Sequence, residues 1–354
     1  MLGEMYGQIQ LLNGRLKLMI RSILYTLVFL VISFSSPILS GKEISVMSFN
    51  VENLFDNKDD PNKNDETYLP KSMKLSKKHI DECNEINVTK WRDDCLNIDW
   101  TDEAINYKIS VIVAAIVSYG ENGPDIIGFQ EVENIRILEI LFSQLKSKGY
   151  KYFSLDEGND FRGIDNAFIS KYEIIEKTLH PIAFSAGSDK QIGDTRGIYE
   201  GQFLVDDQII SIYNVHFPAP HNPLFMRVDA FKTLNVLSKK NDKISIALGD
   251  FNVTSREESQ ENLYKSFSND WYISHIDECA DCKGTSYYFR DKTWSFLDSI
   301  MIRKGSSANF KESSVEVVNH PLQTREDGTP IRFDSYKLIG ISDHFPIVAT
   351  IELN

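Results

Sequence analysis

The sequence predicts an α+β sandwich in which strands outnumber helices. Many short apolar runs have the length of strands, few stretches show helical periodicity, and the connections between them vary in length. A doubly wound parallel sheet would instead alternate one strand with one helix. No internal repeat or low-complexity linker interrupts the later part of the chain, so we expect a single domain over 41–354.

The first forty residues have the pattern of a secretory signal. Arg15, Lys17 and Arg21 precede an apolar run at 23–34, and small residues follow as far as Ser40. This run is shorter than the roughly 20 residues that span a bilayer, which favours a cleaved signal at 1–40 over an anchor. We therefore expect a secreted or periplasmic protein without stable membrane insertion.

The chain is acidic. Cleavage after residue 40 would remove three basic residues and one acidic residue, so the formal net charge would change from −13 to −15. A chain of this charge cannot coat nucleic acid by general electrostatic attraction. If it acts on phosphate esters, a local basic groove or a metal ion must attract the substrate.

The secondary structure follows from the spacing of apolar residues. Helical spacing predicts helices from Thr101 to just before Gly120, at about 133–148 and at 222–237, with Thr101 as the N-cap of the first. Short runs rich in β-branched and aromatic residues predict strands at 44–49, 125–129, 152–155, 166–170, 173–179, 201–205, 209–215, 243–248, 294–301, 313–318 and 345–352.

Residues 56–100 are polar and show no sustained periodicity, which predicts a long insertion loop that is functional or partly disordered. The cysteines are compatible with two disulfides or with a four-thiolate zinc site, and an exported protein favours disulfides. Among the possible pairings we expect the local ones, Cys83 with Cys95 and Cys279 with Cys282. The first bridge would hold the insertion in place.

Polar side chains stand directly after several apolar runs. They are Asn50, Glu131, His216, Asp250 with Asn252, and Asp343 with His344. Asp250 and Asn252 point to the same side because strand side chains alternate. Any one of these residues has an ordinary alternative role, since an isolated Asn often caps a turn and an isolated His is often a core residue. Their number indicates a shared site.

Asp298 differs from the others because it lies within the apolar run at 294–301. A buried carboxylate is costly unless it is paired, and we expect His344 to be its partner. An aspartate holds a histidine in one tautomer and makes it more basic, which suits proton transfer.

The oxygen donors of Asn50, Glu131 and Asp343 are hard ligands that suit Mg²⁺ or Mn²⁺. The sequence contains no three-histidine cluster, which disfavours a zinc hydrolase. It also lacks a glycine-rich phosphate loop and a nucleophile elbow, which disfavours a P-loop NTPase and a serine hydrolase.

Six motifs together resemble the endonuclease/exonuclease/phosphatase superfamily of DNase I-like proteins, and the stretches 162–166 and 285–294 resemble its secreted bacterial nuclease-like members. The motifs are SFNVENLF at 48–55, FQEV at 129–132, NVHF at 214–217, LGDFN at 248–252, LDSI at 297–300 and ISDHFP at 341–346. The resemblance spans the chain after the signal and follows the order of motifs in the family. It implies a four-layered sandwich of two packed mixed β-sheets flanked by helices.

The resemblance also implies a role for each site residue. Glu131 would be the principal metal ligand, with Asn50 and Asp343 beside it. Asp250 would orient or deprotonate the attacking water, and Asn252 would hold a phosphate oxygen. His344, paired with Asp298, and His216 would bracket the phosphate, with the division into acid and base left open. Arg162 would contact a phosphate or, equally, pair with a surface carboxylate.

These implications predict a secreted, monomeric, Mg²⁺- or Mn²⁺-dependent phosphodiesterase, a nuclease that hydrolyses DNA or RNA through a metal-activated water. A sphingomyelinase-like or phosphatase-like enzyme acting on a lipid or small molecule is the alternative, and a non-catalytic binding relative is a third. The aromatic run at 287–289 could stack on bases or enter a membrane, but we expect a strand packed on the core.

Overall fold

The computed structural model describes residues 41–239 and 243–354, together with Gly3, Gly7 and Arg15. Glu43–Asn354 forms one compact unit. The signal predicted at 1–40 lies outside the described residues, apart from those three positions. Within the described residues, no helix combines the length and the apolar character that crossing a membrane requires.

Strands dominate the compact unit, as the sequence predicts. In chain order the strands of the described residues are β1 (Lys42–Leu54), β2 (Ile126–Val132), β3 (Tyr152–Leu155), β4 (Asp165–Ser170), β5 (Glu173–His180), β6 (Ile198–Val205), β7 (Gln208–His216), β8 (Ile244–Asp250), β9 (Trp271–Ile273), β10 (Ser286–Tyr288), β11 (Thr293–Ser295), β12 (Asp298–Arg303), β13 (Ala308–Phe310), β14 (Glu316–Val317) and β15 (Ile347–Leu353). The helices are α1 (Lys77–Asn84), α2 (Thr89–Asn97), α3 (Asp102–Val117), α4 (Ile135–Leu145), α5 (Asp189–Gly193), α6 (Leu224–Lys239), α7 (Ser255–Glu261), α8 (Leu263–Phe267) and α9 (Ser274–Asp277).

The strands form two large mixed sheets and one hairpin. The first sheet has the order β13-β15-β1-β2-β4-β3, with β14 beside β15, and the second has the order β5-β6-β7-β8-β12-β9. Strands β1 and β2 are parallel, as are β7 and β8, while β2–β4, β6–β7 and β8–β12 are antiparallel. Strands β10 and β11 pair with each other as a separate hairpin.

Three apolar cores separate four layers. Alternate residues of a central strand enter different cores, so that Ile246 and Leu248 of β8 face the first sheet while Ala247 packs towards α6 and α8. A third core lies between the first sheet and helices α3 and α4. The order helix, sheet, sheet, helix confirms the four-layered sandwich of the sequence prediction.

Local signals explain the principal helices. The hydroxyl of Thr101 accepts a hydrogen bond from the Ala104 amide at the start of α3, which confirms the predicted N-cap. Asn134 caps α4 in the same way by accepting from the amides of Arg136 and Ile137. All three predicted helices are present with small shifts of their ends.

Three predicted elements are wrong. The stretch 56–100 is not a structureless loop, because it contains α1 and α2. The strand expected at 294–301 is two strands, β11 in the hairpin and β12 in the second sheet. Only β14 forms within the strand expected at 313–318.

Two disulfides form with the predicted local pairing. Cys83 of α1 pairs with Cys95 of α2, with their Cα atoms 5.7 Å apart, and Cys279 pairs with Cys282, with Cα atoms 5.4 Å apart. The first disulfide joins the only two α-helices described within the insertion. These helices are short and polar, so tertiary contacts and this cross-link must stabilise them rather than helix propensity alone.

Candidate active site

The two sheets bring the predicted polar residues to one edge of the sandwich. His216 ends β7 beside Asp250 at the end of β8, because those parallel strands are in that register. Asp298 begins the neighbouring antiparallel strand β12 directly opposite Asp250. Asn50 occupies the corresponding position on β1 of the first sheet, opposite Gln130 on β2. The site therefore forms where the carboxyl ends of both parallel strand pairs meet.

Gly249 gives β8 the conformation that this register requires. Its φ is +142°, and a Cβ added there would lie 2.0 Å from the backbone oxygen of Val215. Any side chain at this position would push β7 and β8 apart beside His216 and Asp250. The glycine in the LGDFN motif is therefore a packing requirement of the site.

Backbone irregularity concentrates around the site. Both β1 and β2 change register within their last residues, and Glu52, Asn53 and Glu131 adopt positive φ angles. Asn252, just after β8, also has a positive φ, of 55°. Bulges re-aim side chains at strand ends, and strained backbone clusters at functional sites. Here they turn the Glu131 side chain towards the second sheet.

Asn50 links the two sheets through its amide nitrogen. Its Nδ2 donates to Asp250 Oδ2 at 3.1 Å and to Glu131 Oε1 at 3.4 Å. Its Oδ1 accepts from the backbone amide of Glu52 at 3.0 Å. Glu131 Oε2 accepts from the Asn53 amide at 3.0 Å, which fixes the carboxylate. Asn50 thus bridges the two carboxylates.

The histidines lie on either side of Asp250. His216 Nε2 is 3.5 Å from Asp250 Oδ2 and 3.9 Å from Glu131 Oε1. His344 Nε2 is 4.0 Å from the same Asp250 oxygen. The predicted partnership of His344 with Asp298 is present, with 2.7 Å between Nδ1 and Oδ2, and Asp298 is completely buried.

The environments of the two histidines push their pKa values apart. Burial lowers the pKa of His216 well below its usual range, and the positive charges of Arg196 and Arg162 act in the same direction. Burial also disfavours charge on His344, but the carboxylates of Asp298, Asp250 and Asp343 together outweigh it. They raise the pKa of His344 well above its usual range, and Asp298 contributes most. The environment of His216 therefore favours its neutral form, and the environment of His344 favours its charged form.

Asp250 is buried between these groups. Burial raises its pKa to about 7, with the positive charge of His344 opposing the shift and the negative charge of Asp298 adding to it. Its Oδ1 accepts from the backbone amide of Asn252 at 2.8 Å, and Asn252 Nδ2 donates to the Phe217 carbonyl at 2.9 Å. A carboxylate with a pKa near neutral can both accept and release a proton under ordinary conditions.

Asp343 lies at the opposite margin of the site. Its Oδ2 is 3.4 Å from a guanidinium nitrogen of Arg332, and its Oδ1 is 3.9 Å from His344 Nε2. Its backbone amide donates to Glu52 Oε2 at 3.1 Å, and Arg332 Nε donates to the other oxygen of Glu52. Burial and the nearby charge of Asp343 raise the pKa of Glu52 to about 7. Glu52 and Arg332 thereby join β1 to the segment that carries Asp343.

Sequence reasoning missed this Glu52–Arg332 pair and a buried amide network. Gln130 Nε2 donates to Asn214 Oδ1 at 2.7 Å, and Asn214 Nδ2 donates to the carbonyls of Phe129 and Ala167. Asn166 Nδ2 in turn donates to the Asn214 carbonyl at 3.2 Å. The sequence feature that could have indicated the amide network is the presence of polar side chains within otherwise apolar strands.

Arg162 stands beside the carboxylates, where it could meet an anion. Its guanidinium is 3.5 Å from Asn53 Oδ1, and no carboxylate of the described residues lies within 4.0 Å of it. Asp160 instead pairs with Arg196 at 3.2 Å and accepts from the Arg162 backbone amide at 3.0 Å. The alternative role of Arg162 as a partner of a surface carboxylate is therefore not what the structure shows.

A cleft of about 1170 Å³ opens over these groups. Glu131, His216, Asp250 and His344 line its floor, and side chains of the insertion and of the segment 331–339 line its sides. The hairpin β10–β11 lies next to His344, since Ser286 bridges to that residue. Contrary to prediction, the aromatic run of this hairpin is not core, because Tyr288 and Phe289 are about half exposed. The hairpin is a separate two-stranded sheet outside both large sheets, which leaves these rings at the surface.

The donor set suits a hard divalent cation. It consists of carboxylate and amide oxygens without a thiol. Among the described residues, Glu131 Oε1 accepts one hydrogen bond, the long one of 3.4 Å from Asn50. Asn50 directs its nitrogen towards Glu131, so its amide must rotate before its oxygen can serve as a ligand. Burial favours the neutral forms of Asp250 and Glu52, and a bound cation would favour their charged forms.

A family model and several solved structures match this chain. The model described as the Endonuclease/Exonuclease/phosphatase family matches residues 94–353. The crystal structure of an endonuclease/exonuclease/phosphatase family protein from Bacteroides thetaiotaomicron is 18% identical, with a TM-score of 0.55, covering 89% of this chain and 99% of that one. No curated protein matches the sequence.

Two further structures have the same fold. D. rerio TDP2, complexed with a single strand DNA product, is 13% identical with a TM-score of 0.52, covering 88% of this chain and 99% of that one. A family protein from Leptotrichia buccalis is 15% identical with a TM-score of 0.52, covering 88% of this chain and all of that one. Identities this low support the fold and leave the substrate open.

Proposed function

Because the chain belongs to the endonuclease/exonuclease/phosphatase family, whose members hydrolyse phosphate esters, we propose that it is a metal-dependent phosphodiesterase that cleaves DNA or RNA. The observation that carries this proposal is the position of His216, whose Nε2 lies 3.9 Å from Glu131 and 3.5 Å from Asp250, with His344 4.0 Å from the same Asp250 oxygen. A D. rerio protein of the same fold was solved with a DNA product, which supports nucleic acid as the substrate.

The proposed metal ligands are Glu131, Asp343 and, after rotation of its amide, Asn50. Mg²⁺ or Mn²⁺ bound there would supply positive charge to a phosphate oxygen and to the attacking water. The chain's own contribution is to hold these oxygens in place. The Asn53 amide fixes Glu131, and the Glu52–Arg332 pair fixes the segment of Asp343.

Asp250 is the proposed base. Its Oδ2 faces both Asn50 and His216, and the charged form that a nearby cation favours can take a proton from water. The Asn252 backbone amide donates to Oδ1, which fixes the direction in which Oδ2 points. Asn252 would contact a phosphate oxygen from the same side.

His344 is the proposed cationic group opposite this base. Asp298 orients it through Nδ1, which leaves Nε2 facing the site and able to donate to the phosphate or its leaving group. His216 is the neutral histidine and would donate a hydrogen bond to a phosphate oxygen. Arg162 would bind a phosphate on the adjoining wall, since its guanidinium lacks a carboxylate partner among the described residues.

A substrate panel tests this proposal against the alternatives. The full chain with Mg²⁺ or Mn²⁺ is incubated with oligonucleotide DNA, plasmid DNA, RNA, sphingomyelin and p-nitrophenyl phosphate. We expect turnover of at least one nucleic acid to exceed that of the lipid and the monoester. Faster turnover of sphingomyelin or of the monoester would favour the lipid or phosphatase alternative. No turnover of any substrate would favour a binding relative.

We also propose that the protein is exported and acts as a monomer. Export is supported by the signal pattern at 1–40 and by the two disulfides, which persist in oxidising compartments. Amino-terminal sequencing of the exported protein should begin near Gly41, and light scattering should give the mass of one chain. An uncleaved amino terminus would contradict the export proposal.

A further inference from the structure

We propose that the indole of Trp91 stacks on an unpaired base of a single-stranded nucleic acid whose phosphodiester lies at the Asp250 site. This inference rests on the proposed function and deepens it, because it names the form of nucleic acid that the cleft accepts. It concerns the helical insertion, most of which precedes the residues that match the family model.

Trp91 is the exposed tryptophan of the cleft wall. It lies on α2 and lines the same cleft as Glu131 and Asp250, with 61% of its surface accessible. Of the other tryptophans in the sequence, Trp100 and Trp271 are buried and Trp294 is half-buried. An indole left uncovered beside a phosphodiesterase site presents a flat apolar face to whatever enters the cleft.

Two cross-connections hold the helix that carries this indole. The Cys83–Cys95 disulfide ties α2 to α1, and the Tyr336 hydroxyl donates to the Asn97 carbonyl at the end of α2. Tyr336 belongs to the same segment as Arg332, which contacts Glu52 and Asp343 at the site. A chain of contacts therefore connects the wall that carries Trp91 to the proposed catalytic floor, which is a condition for binding a neighbouring part of the same substrate.

The cleft is less acidic than the rest of the protein. Six basic side chains line it, namely Lys90, Arg162, Arg196, Arg325, Arg332 and Lys337, against seven acidic ones. The whole chain has 38 basic and 51 acidic residues. With a divalent cation beside Glu131 the lining would become positive, so a polyanion could enter the cleft of this acidic protein.

Stacking on Trp91 requires a base whose face is free. In a duplex the neighbouring base pairs cover both faces, whereas a single strand offers them without the cost of unstacking. A lipid is the poorer occupant, because Lys90, Arg92, Asp93 and Asp94 surround Trp91 in sequence and would have to leave water with it.

The test measures binding to matched decamers with and without bases. The Asp250→Asn full-length chain, used to prevent turnover, is titrated in Mg²⁺ with fluorescein-labelled dT10 and with a decamer in which tetrahydrofuran replaces every nucleoside. Adding Trp91→Ala should weaken dT10 binding about 5- to 150-fold, as expected for loss of one aromatic–base stack, and should change binding of the abasic decamer less than twofold. Trp91→Phe should retain most of the binding.

Two controls make the result specific to Trp91. Tyr288→Ala removes an equally exposed ring that does not line the cleft, and it should leave dT10 binding unchanged. A decamer of bromodeoxyuridine should quench tryptophan emission in the parent chain and much less in the Trp91→Phe variant. These readouts do not depend on activity.

Several results would overturn the inference. They are equal weakening of both decamers by Trp91→Ala, no weakening of either, or a Trp91-dependent affinity for sphingomyelin vesicles that exceeds the affinity for dT10. Hydrolysis of bis(p-nitrophenyl) phosphate by the wild-type chain separates this outcome from failure of the proposed function. If that diester is cleaved, such a result excludes the stacking role of Trp91 and leaves the proposed function intact. If no phosphodiester is cleaved with either metal, the proposed function itself is wrong.

Discussion

Replacing Asp298 with Asn perturbs the site at the residue whose role depends on a single contact. Asp298 is completely buried, and its Oδ2 lies 2.7 Å from Nδ1 of His344. Asn has nearly the same shape and can still accept from Nδ1, but it removes the negative charge that raises the pKa of His344. The variant therefore separates the charge of the partner from its presence.

The structure sets the size of the expected effect. A hydrogen bond to a charged group contributes about 1.5–3 kcal/mol and a neutral one about 0.5–1.5 kcal/mol, so Asp298→Asn should cost about 1–1.5 kcal/mol of stability. Because the folded-state pKa of His344 is raised, its contribution is fully present below the unfolded value of about 6.5. That contribution is lost as the pH rises through the folded value. The loss of stability caused by Asp298→Asn should therefore be larger at pH 6 than at pH 9.

Urea unfolding at both pH values and turnover of bis(p-nitrophenyl) phosphate at pH 7.5 measure these effects. Loss of the imidazolium should lower turnover about 10²- to 10⁴-fold. Asp291→Asn, an exposed substitution of the same type, is the matched control and should change neither quantity. Turnover within threefold of wild type in a folded Asp298→Asn chain would refute the role of the pair. A penalty that is independent of pH would refute the raised pKa.

Three further predictions concern the scaffold. Gly249→Ala should destabilise the protein by more than about 3 kcal/mol in thermal unfolding. The control Gly305→Ala, at a position with positive φ but open space around it, should cost only about 1–2 kcal/mol. Equal costs would contradict the argument that a side chain at Gly249 meets the backbone of Val215. Replacing Cys83 and Cys95 with Ala should lower the stability of the insertion by about 3 kcal/mol, as expected for a cross-link between residues 12 apart. Limited trypsin digestion should then cut first between residues 56 and 100. An unchanged cleavage pattern would contradict this prediction. Burial lowers the pKa of His275 to about 3, so as the pH falls the unfolded chain takes up a proton before the folded chain does, and the free energy of unfolding decreases below about pH 6.5. His275→Gln should therefore reduce the stability lost between pH 7 and pH 5 by about 2 kcal/mol. An unaltered pH dependence of stability would exclude the effect.

The fold and the floor of the site were predictable because both follow from local patterns. An apolar run that ends in Gly249 and Asp250 needs only strand periodicity to place the carboxylate at a strand end. The packing cost of a buried Asp298 sufficed to predict its contact with His344, which lies 46 residues away. Parallel strands then bring such ends together without any further signal.

The insertion and the second layer of the site were not predictable for the opposite reason. Helices α1 and α2 have 8 and 9 residues, too short for a clear helical period, and their stability comes from a disulfide and from contacts with distant segments. Glu52 and Arg332 are 280 residues apart, and neither follows an apolar run that would suggest a partner. Trp91 became informative only because the structure shows that it lines the same cleft as Glu131 and Asp250.

The most direct test of the whole account is metal-dependent hydrolysis of bis(p-nitrophenyl) phosphate by the full-length wild-type chain and its Asp250→Ala variant. We expect turnover with Mg²⁺ or Mn²⁺ that EDTA abolishes and that the variant lowers at least about 10²-fold, because the buried carboxylate is the proposed base. Turnover that persists in EDTA, or that survives in Asp250→Ala at the wild-type rate, would contradict a metal-dependent site built around Asp250.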